Sequence, residues 1–187
     1  MKVQVLQSPL ASFSTVIKGM NMKIFHTSDH HFCHENIIEY CHRPFKTLEE
    51  MHEIMIQRWN ETVTDLDLVI HHGDFAFRSP DNVKEVLDKL NGKKILIMGN
   101  HDSKKTVTFW MNVGFDLVFK EPIQIGGTLL SHRPYKWEGL NIHGHVHQID
   151  LESKNHICVC VEHTDYRPIE LNYVQLKNKT DLIPIGD

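Results

Sequence analysis

Lys93-Lys94-Ile95-Leu96-Ile97-Met98 is a short, largely apolar run that ends at once in Gly99-Asn100-His101-Asp102. A run of this length reads as a buried strand, and the glycine lets the chain turn sharply behind it. Three polar side chains of different chemistry therefore arrive together at the carboxyl end of a core strand, the edge where open α/β sheets bind ligands. One such block is weak, because Asn and Asp after Gly also make ordinary turns. What constrains this chain is that the arrangement recurs.

Ile24 to Thr27 reads as the first core strand and delivers Ser28-Asp29-His30-His31. Leu66 to Ile70 is a second, ending in His71-His72-Gly73-Asp74. Thr128 to Leu130 ends in Ser131-His132, and Leu140-Asn141-Ile142 leads into His143-Gly144-His145-Val146-His147. Asp29/His31 and His145/His147 are each two apart, so in extended backbone each pair points one way. Between the early strands the periodicity is helical. Thr47 and Glu50 make a capping box ahead of Leu48, Met51, Ile54, Met55 and Trp59 on one face. Ser79-Pro80 opens a second helix running to about Leu90, with Asn91-Gly92 as its stop. Strand, helix, strand, helix, strand is the order of parallel α/β units.

The second half changes character. After a helix near 105–112, the segments 117–119, 123–125 and 128–130 are short strands, with Gly126-Gly127 signalling a hairpin. A strand over 157–161 and a short helix or strand over 171–176 complete the chain. No repeat or linker interrupts it. The expectation is a single α/β domain over 22–187, containing two sheets or half-sheets. Residues 1–21 form an N-terminal extension without period, which an upstream start, a flexible arm or an extra strand would explain, and Met22 is the more natural start.

Bulk properties narrow the function. Net charge is −4, which disfavours a duplex nucleic-acid surface. No apolar run approaches the ~20 residues of a membrane helix. The four cysteines lack the Cys-x-x-Cys spacing of a zinc ribbon, and without an export signal reduced thiols and a cytoplasmic setting are the expectation; Cys158 and Cys160 read as small hydrophobes on one strand face. Histidine is abundant, at 15 residues. Seven oxygen and nitrogen donors follow predicted strands: Asp29, His31, Asp74, Asn100, His132, His145 and His147. Their chemistry suits Mn²⁺, Fe²⁺, Zn²⁺ and similar ions, and seven exceed one tetrahedral site. Two ions fit the count better, with Asp74 as the natural bridge because a carboxylate has two oxygens to share. His71, His72 and His143 fit supporting or core roles, and His42, His52, His156 and His163 surface or packing roles.

Asp29-His30-His31, Gly73-Asp74, Gly99-Asn100-His101-Asp102, His132 and Gly144-His145-Val146-His147 together resemble the ordered signature of the calcineurin-like metallophosphoesterases. The resemblance implies a four-layer α-β-β-α fold, a two-sheet β-sandwich flanked by helices. It further implies two divalent ions, Mn²⁺ foremost, with Fe, Zn, Ni or Co as alternatives. Asp29, His31, Asp74 and His147 would hold one ion, and Asp74, Asn100, His132 and His145 the other. Phosphomonoesters or phosphodiesters would be hydrolysed by attack of a metal-bound hydroxide. His101 would contact phosphate and protonate the leaving group, with Asp102 orienting it.

One departure is that many members carry a second Asp where this chain has Phe77, which leaves a phosphate-binding role for Arg78 open. The segment Asp29 to Ile37, with Arg43-Pro44-Phe45 after it, resembles a subgroup of small phosphoesterases from bacteria and phages. His34 in that segment, Arg43, Arg78 and Arg133 are the candidate substrate contacts, Arg133 ahead of Arg43 because it directly follows His132. The expected partner is a small phosphoester, and a homodimer stays open as an alternative to a monomer. A nuclease acting on short or single-stranded nucleic acid, or a metal-binding scaffold, are the competing readings.

Overall fold

The structure is a computed structural model and describes residues 3–5, 22–77 and 79–171. The strands are β1 (Gln4–Val5), β2 (Ile24–Thr27), β3 (Leu68–His71), β4 (Lys93–Ile97), β5 (Leu117–Phe119), β6 (Ile123–Ile125), β7 (Thr128–Leu130), β8 (Asn141–His143), β9 (His156–Cys158) and β10 (Ile169–Glu170). The helices are α1 (Ile37–Tyr40), α2 (Leu48–Thr62), α3 (Pro80–Leu87) and α4 (Val107–Val113). They build a mixed α/β fold of two mixed sheets with flanking helices. One sheet has the order β10-β2-β3-β4-β5 and the other β1-β6-β7-β8-β9.

In the first sheet β2, β3, β4 and β5 run parallel, as the strand–helix alternation requires, and β10 joins β2 antiparallel. Strand alternation sends neighbouring side chains to opposite faces, and two cores result. Val69, Leu96 and Val118 face the helices, packing with Met51, Met55, Trp59, Val83 and Trp110. Ile70, Ile97 and Phe119 face the second sheet, meeting Ile123, Leu130, Ile142 and Val159. The helix α2 is held where the sequence places it. Thr47 accepts from Glu50 N–H at 3.2 Å, and Met51, Met55 and Trp59 are fully buried. Glu50 reaches back to Lys46 N–H rather than to Thr47. The helix α3 ends at Leu87, three residues short of the expected stop, although Leu90 is still buried beyond it.

The second sheet carries the hairpin expected from Gly126-Gly127: β6 and β7 pair antiparallel, with Ile125 opposite Thr128. β7, β8 and β9 are parallel, so β7 and β8 both point their carboxyl ends toward one edge. Part of the N-terminal extension is an extra edge strand, because Gln4 and Val5 pair with Ile123 and Gln124; residues 6–21 lie outside the described residues. β10 is not among the elements expected from the sequence, and of the closing element expected over 171–176, residues 172–176 lie outside the described residues. Among the described residues no helix is long and apolar enough to cross a membrane.

Candidate metal centre

The polar blocks leave their strands in an unusual backbone. Asp29 (φ 60°), His31 (φ 52°), Asp74 (φ 55°), His145 (φ 74°) and His147 (φ 48°) all lie in the left-handed region. Non-glycine residues enter it at a cost and collect where a site demands it. The expectation that Asp29/His31 and His145/His147 converge by strand alternation is therefore corrected. β2 stops at Thr27 and β8 at His143, and left-handed kinks aim the side chains instead. Two glycines make room. A Cβ on Gly99 would fall onto the Asp74 carboxylate, and one on Gly144 onto Ser28 and the Asp29 carboxylate.

Among the described residues three groups able to hold a metal ion result; one, Cys41 with His147 and Glu162, shares His147 with the first of the two that expected ligands build. Asp29, His31 and His147 offer donor atoms within 4.8 Å of one another, as do Asp74, His132 and His145. Asp74 touches both: its Oδ2 lies 3.8 Å from His31 Nε2 and 3.4 Å from His132 Nε2. Asn100 joins the second group, with Oδ1 3.0 Å from His132 Nε2. The groups are also tied through the backbone, since His145 N–H donates to Asp29 Oδ2 at 2.8 Å. Asp29 Oδ1, both ring nitrogens of His31 and His101 Nδ1 are buried without a hydrogen-bond partner. Buried polar atoms are ordinarily paired, so this concentration of lone donors fits a site built around cations.

Charge points the same way. Burial opposes a proton on His132, yet hydrogen bonding to Asp74 and the charges of Asp29 and Asp74 push its pKa up to about 9. Burial likewise opposes a proton on His147, but the Cys41 thiol and Glu162 raise it to about 10. Burial alone would lift Asp29, but its histidine neighbours, His31 first, hold it well below the usual carboxylate range. The cavity stabilises positive charge between two carboxylates.

Supporting groups orient the rings. His132 Nδ1 faces the carbonyl of His72 at 2.8 Å, so that nitrogen carries the hydrogen and Nε2 is the donor atom toward Asp74. His72 in turn pairs with His26 at 2.8 Å, and His30 with His71 at 2.9 Å. These are supporting roles, as the sequence allowed. His147 Nδ1 lies 3.1 Å from Glu162 Oε1. Nothing in the sequence marks Glu162: it sits in a 3-10 turn after β9, away from every block. Cys160 is buried, its thiol 3.2 Å from Asp29 Oδ2, and Cys158 is half-buried.

Two expectations change. Asp102 does not orient the ring of His101. Its carboxylate accepts from the backbone N–H groups of Asp74 (2.6 Å), Gly99 (2.8 Å) and Phe75 (3.1 Å), clamping two ligand turns together. Burial and the charge of Asp74 push its pKa up to about 7. Arg43 is buried, and its guanidinium is bound by Glu162 and by the carbonyls of Asp29 and His30, so it does not face substrate. Arg78 lies outside the described residues.

Arg133 is exposed at the rim, Nη2 3.3 Å from Asn100 Oδ1. His34 is half-buried and stacks on Phe77 at 4.3 Å. Burial and the nearby His31 bring its pKa down to about 4. Phe77, the departure noted in the sequence, also packs against His101 at 4.8 Å and His31 at 5.5 Å.

Comparison with known proteins bears on family and fold. The chain is 34% identical over 164 residues to an uncharacterized protein of the archaeon Methanocaldococcus jannaschii, covering 81% of this chain and 89% of that one. The crystal structure of a protein of unknown function from Aquifex aeolicus superimposes with a TM-score of 0.65 at 27% identity, over 87% of this chain and all of that one. The model of the calcineurin-like phosphoesterase family matches residues 22–178. The chain belongs to the calcineurin-like phosphoesterase family.

Proposed function

We propose that this protein hydrolyses phosphoesters at a centre of two divalent ions, one held by Asp29, His31 and His147 and the other by Asn100, His132 and His145, with Asp74 shared. The observation that carries the reading is the contact of one Asp74 oxygen with both histidine groups, at 3.8 and 3.4 Å. Oxygen and imidazole donors suit Mn²⁺, with Fe, Zn, Ni or Co as alternatives. When bound, such ions supply Lewis acidity toward a phosphoryl oxygen and lower the pKa of water.

The chain's own residues do the rest. His101 Nε2 stands 3.8 Å from Asp74 Oδ2 on the half-exposed side of the centre. Burial lowers its pKa, so the ring is neutral at pH 7 before substrate arrives. The negative charge of an arriving phosphoester favours a proton on the ring, which His101 passes to the departing oxygen. Arg133 grips a phosphoryl oxygen from the rim beside Asn100, as a planar fork suits. Asp102 acts through the backbone, holding Asp74 and Gly99 in register.

The test is a panel of aryl phosphomonoesters, aryl phosphodiesters, cyclic nucleotides and short oligonucleotides offered to Mn²⁺-loaded protein. Hydrolysis that EDTA abolishes and Mn²⁺ restores, with elemental analysis approaching two ions per chain, supports the reading. A stoichiometry fixed at one overturns the two-ion centre. A second reading, hydrolysis of short or single-stranded nucleic acid, draws support from a row of rings leading out of the centre. His101, Phe77, His34 and exposed Tyr40 follow one another at 4.8, 4.3 and 6.2 Å, and bases stack on such rings. The oligonucleotide arm of the panel decides it.

A further inference from the structure

The segment around Arg43 has no role in the chemistry above, and Glu162 belongs to no block, yet the two meet beside the centre. Glu162 Oε1 accepts from Arg43 Nη2 at 2.6 Å, from Arg43 Nε at 3.0 Å and from His147 Nδ1 at 3.1 Å. The same guanidinium donates to the carbonyl of Asp29 at 2.7 Å and of His30 at 2.8 Å. Gln148 closes the circle by donating to the carbonyl of Cys41. Four segments of chain that are distant in sequence are thereby tied behind one half of the centre. We propose that Glu162 and Arg43 form a positioning clamp that sets the ion affinity of the Asp29–His31–His147 half separately from the Asp74–His132–His145 half. The proposal rests on the two-ion reading.

The physical argument has three steps. A carboxylate on Nδ1–H fixes the tautomer and orientation of an imidazole and raises the basicity of its other nitrogen. For His147 that other nitrogen is Nε2, 3.9 Å from Asp29 Oδ1. Next, Asp29 and His31 sit in left-handed backbone, a conformation that persists only where surrounding contacts impose it. Arg43 imposes it by holding the carbonyls of Asp29 and His30 from beneath. Finally, a buried ion pair is a poor source of stability, since well-packed hydrophobes often serve as well. Arg43 and Glu162 have side chains 0% and 3% exposed, and Glu162 Oε2 has no partner. Such a pair is explained by what it positions.

The other half has its own support. His132 is oriented by the carbonyl of His72, and Asp102 clamps Asp74. Neither is held by Glu162, so the clamp acts first on one ion and reaches the other only through the His145 N–H bond to Asp29 Oδ2.

The test titrates full-length protein with Mn²⁺ by calorimetry and electron paramagnetic resonance, comparing wild type, Glu162→Gln and the double variant Arg43→Met/Glu162→Met. The double variant leaves no charge buried and unpaired, so it keeps the test open should the single one fold poorly. The expected result is one ion weakened by about 10–100-fold and the other changed by less than about threefold. The loss should be larger in the double variant, because Gln keeps an acceptor oxygen. In the Zn²⁺-loaded protein, ¹⁵N spectra of the histidines should show His147 as the Nδ1–H tautomer in wild type and lose that signature in the double variant. Two ions bound with unchanged affinity in both variants would overturn the clamp alone. Equal weakening of both ions would also overturn it, reducing the pair to a structural role. A wild-type stoichiometry below two would overturn the two-ion reading and the clamp with it.

Discussion

Replacing Asp74 by Asn removes one charge and almost no volume, and the structure allows its effect to be sized. His132 serves as a gauge of how strongly this cavity holds positive charge. It is 5% exposed and 3.4 Å from Asp74 Oδ2. Burial alone would strip its proton, yet Asp74 leads the groups that keep it to about pH 9 instead of 6.5. At ~1.4 kcal/mol per pH unit that retention is about 3 kcal/mol for a single positive charge. Asp74 is the largest favourable contributor and Asp29 the next. A divalent ion feels the missing charge at least as strongly, so Asp74→Asn should weaken each ion by ~10²-fold or more. Because Asp74 touches both groups, both ions should be affected together.

Two measurements check this. Calorimetric titration with Mn²⁺ reads the ions directly, and hydrolysis should fall with occupancy. In the metal-free protein, NMR titration of His132 should show its pKa dropping by more than about one unit, since burial then acts against a weaker opponent. If the variant binds two ions at wild-type affinity, or His132 still titrates near pH 9, the assignment of Asp74 as the shared carboxylate is wrong.

The remaining expectations concern other parts of the molecule. His101→Gln should keep both ions while turnover falls by roughly 10²–10⁴-fold on a poor leaving group and by less on a nitrophenolate; equal losses on both would leave His101 with positioning alone. Ion binding must displace the protons on His132 and His147, held to about pH 9 and about pH 10. The affinity of each ion should therefore rise by about tenfold per pH unit from about 6.5 to 8.5, with proton release visible as buffer-dependent heat. In the metal-free chain these raised pKa values stabilise the fold fully below about pH 6.5, and that contribution disappears as pH climbs through about 9–10. Melting temperature should fall over that range without metal and stay flatter with Mn²⁺, and a metal-free curve rising with pH would contradict the sign. Trp59 is fully buried and donates from Nε1 to the Asn91 carbonyl at 3.0 Å, so Trp59→Ala should cost about 3–5 kcal/mol in urea unfolding; a loss under 1 kcal/mol would show that the helical core tolerates the gap.

What could be read from the sequence was the part governed by local pattern. Apolar runs of three to five residues ending in polar blocks marked β2, β3, β4, β7 and β8 to within about two residues, because burial on both faces leaves a dense apolar signature. Thr47 and Glu50 marked α2, because a cap is written within four residues. The grouping of Asp29 with His147, 118 positions apart, was legible only through the resemblance of the ordered blocks to a family. Spacing alone misjudged how those blocks are shaped. Residues two apart were taken as extended, whereas Asp29, His31, His145 and His147 adopt left-handed backbone. Period-two reasoning holds only inside a ladder, and each ladder ends before its block begins.

The roles of Asp102, Arg43 and Glu162 were hidden for a different reason. The family resemblance implied that Asp102 orients His101, but a 3-10 turn at Asp102–Lys104 carries its side chain back to three amide groups. Arg43 was read as a cation for phosphate because arginine commonly serves that end. Its partner decides otherwise, and that partner, Glu162, lies 119 positions away with no pattern around it. Sequence reasoning finds donors that cluster behind strands, since the fold delivers them by a rule. It does not find the single carboxylate that a distant turn brings up behind them, because no local regularity encodes that meeting. The buried environment of Arg43 follows from the same meeting: a guanidinium with five donors is held in the interior only where carboxylate and carbonyl oxygens converge on it.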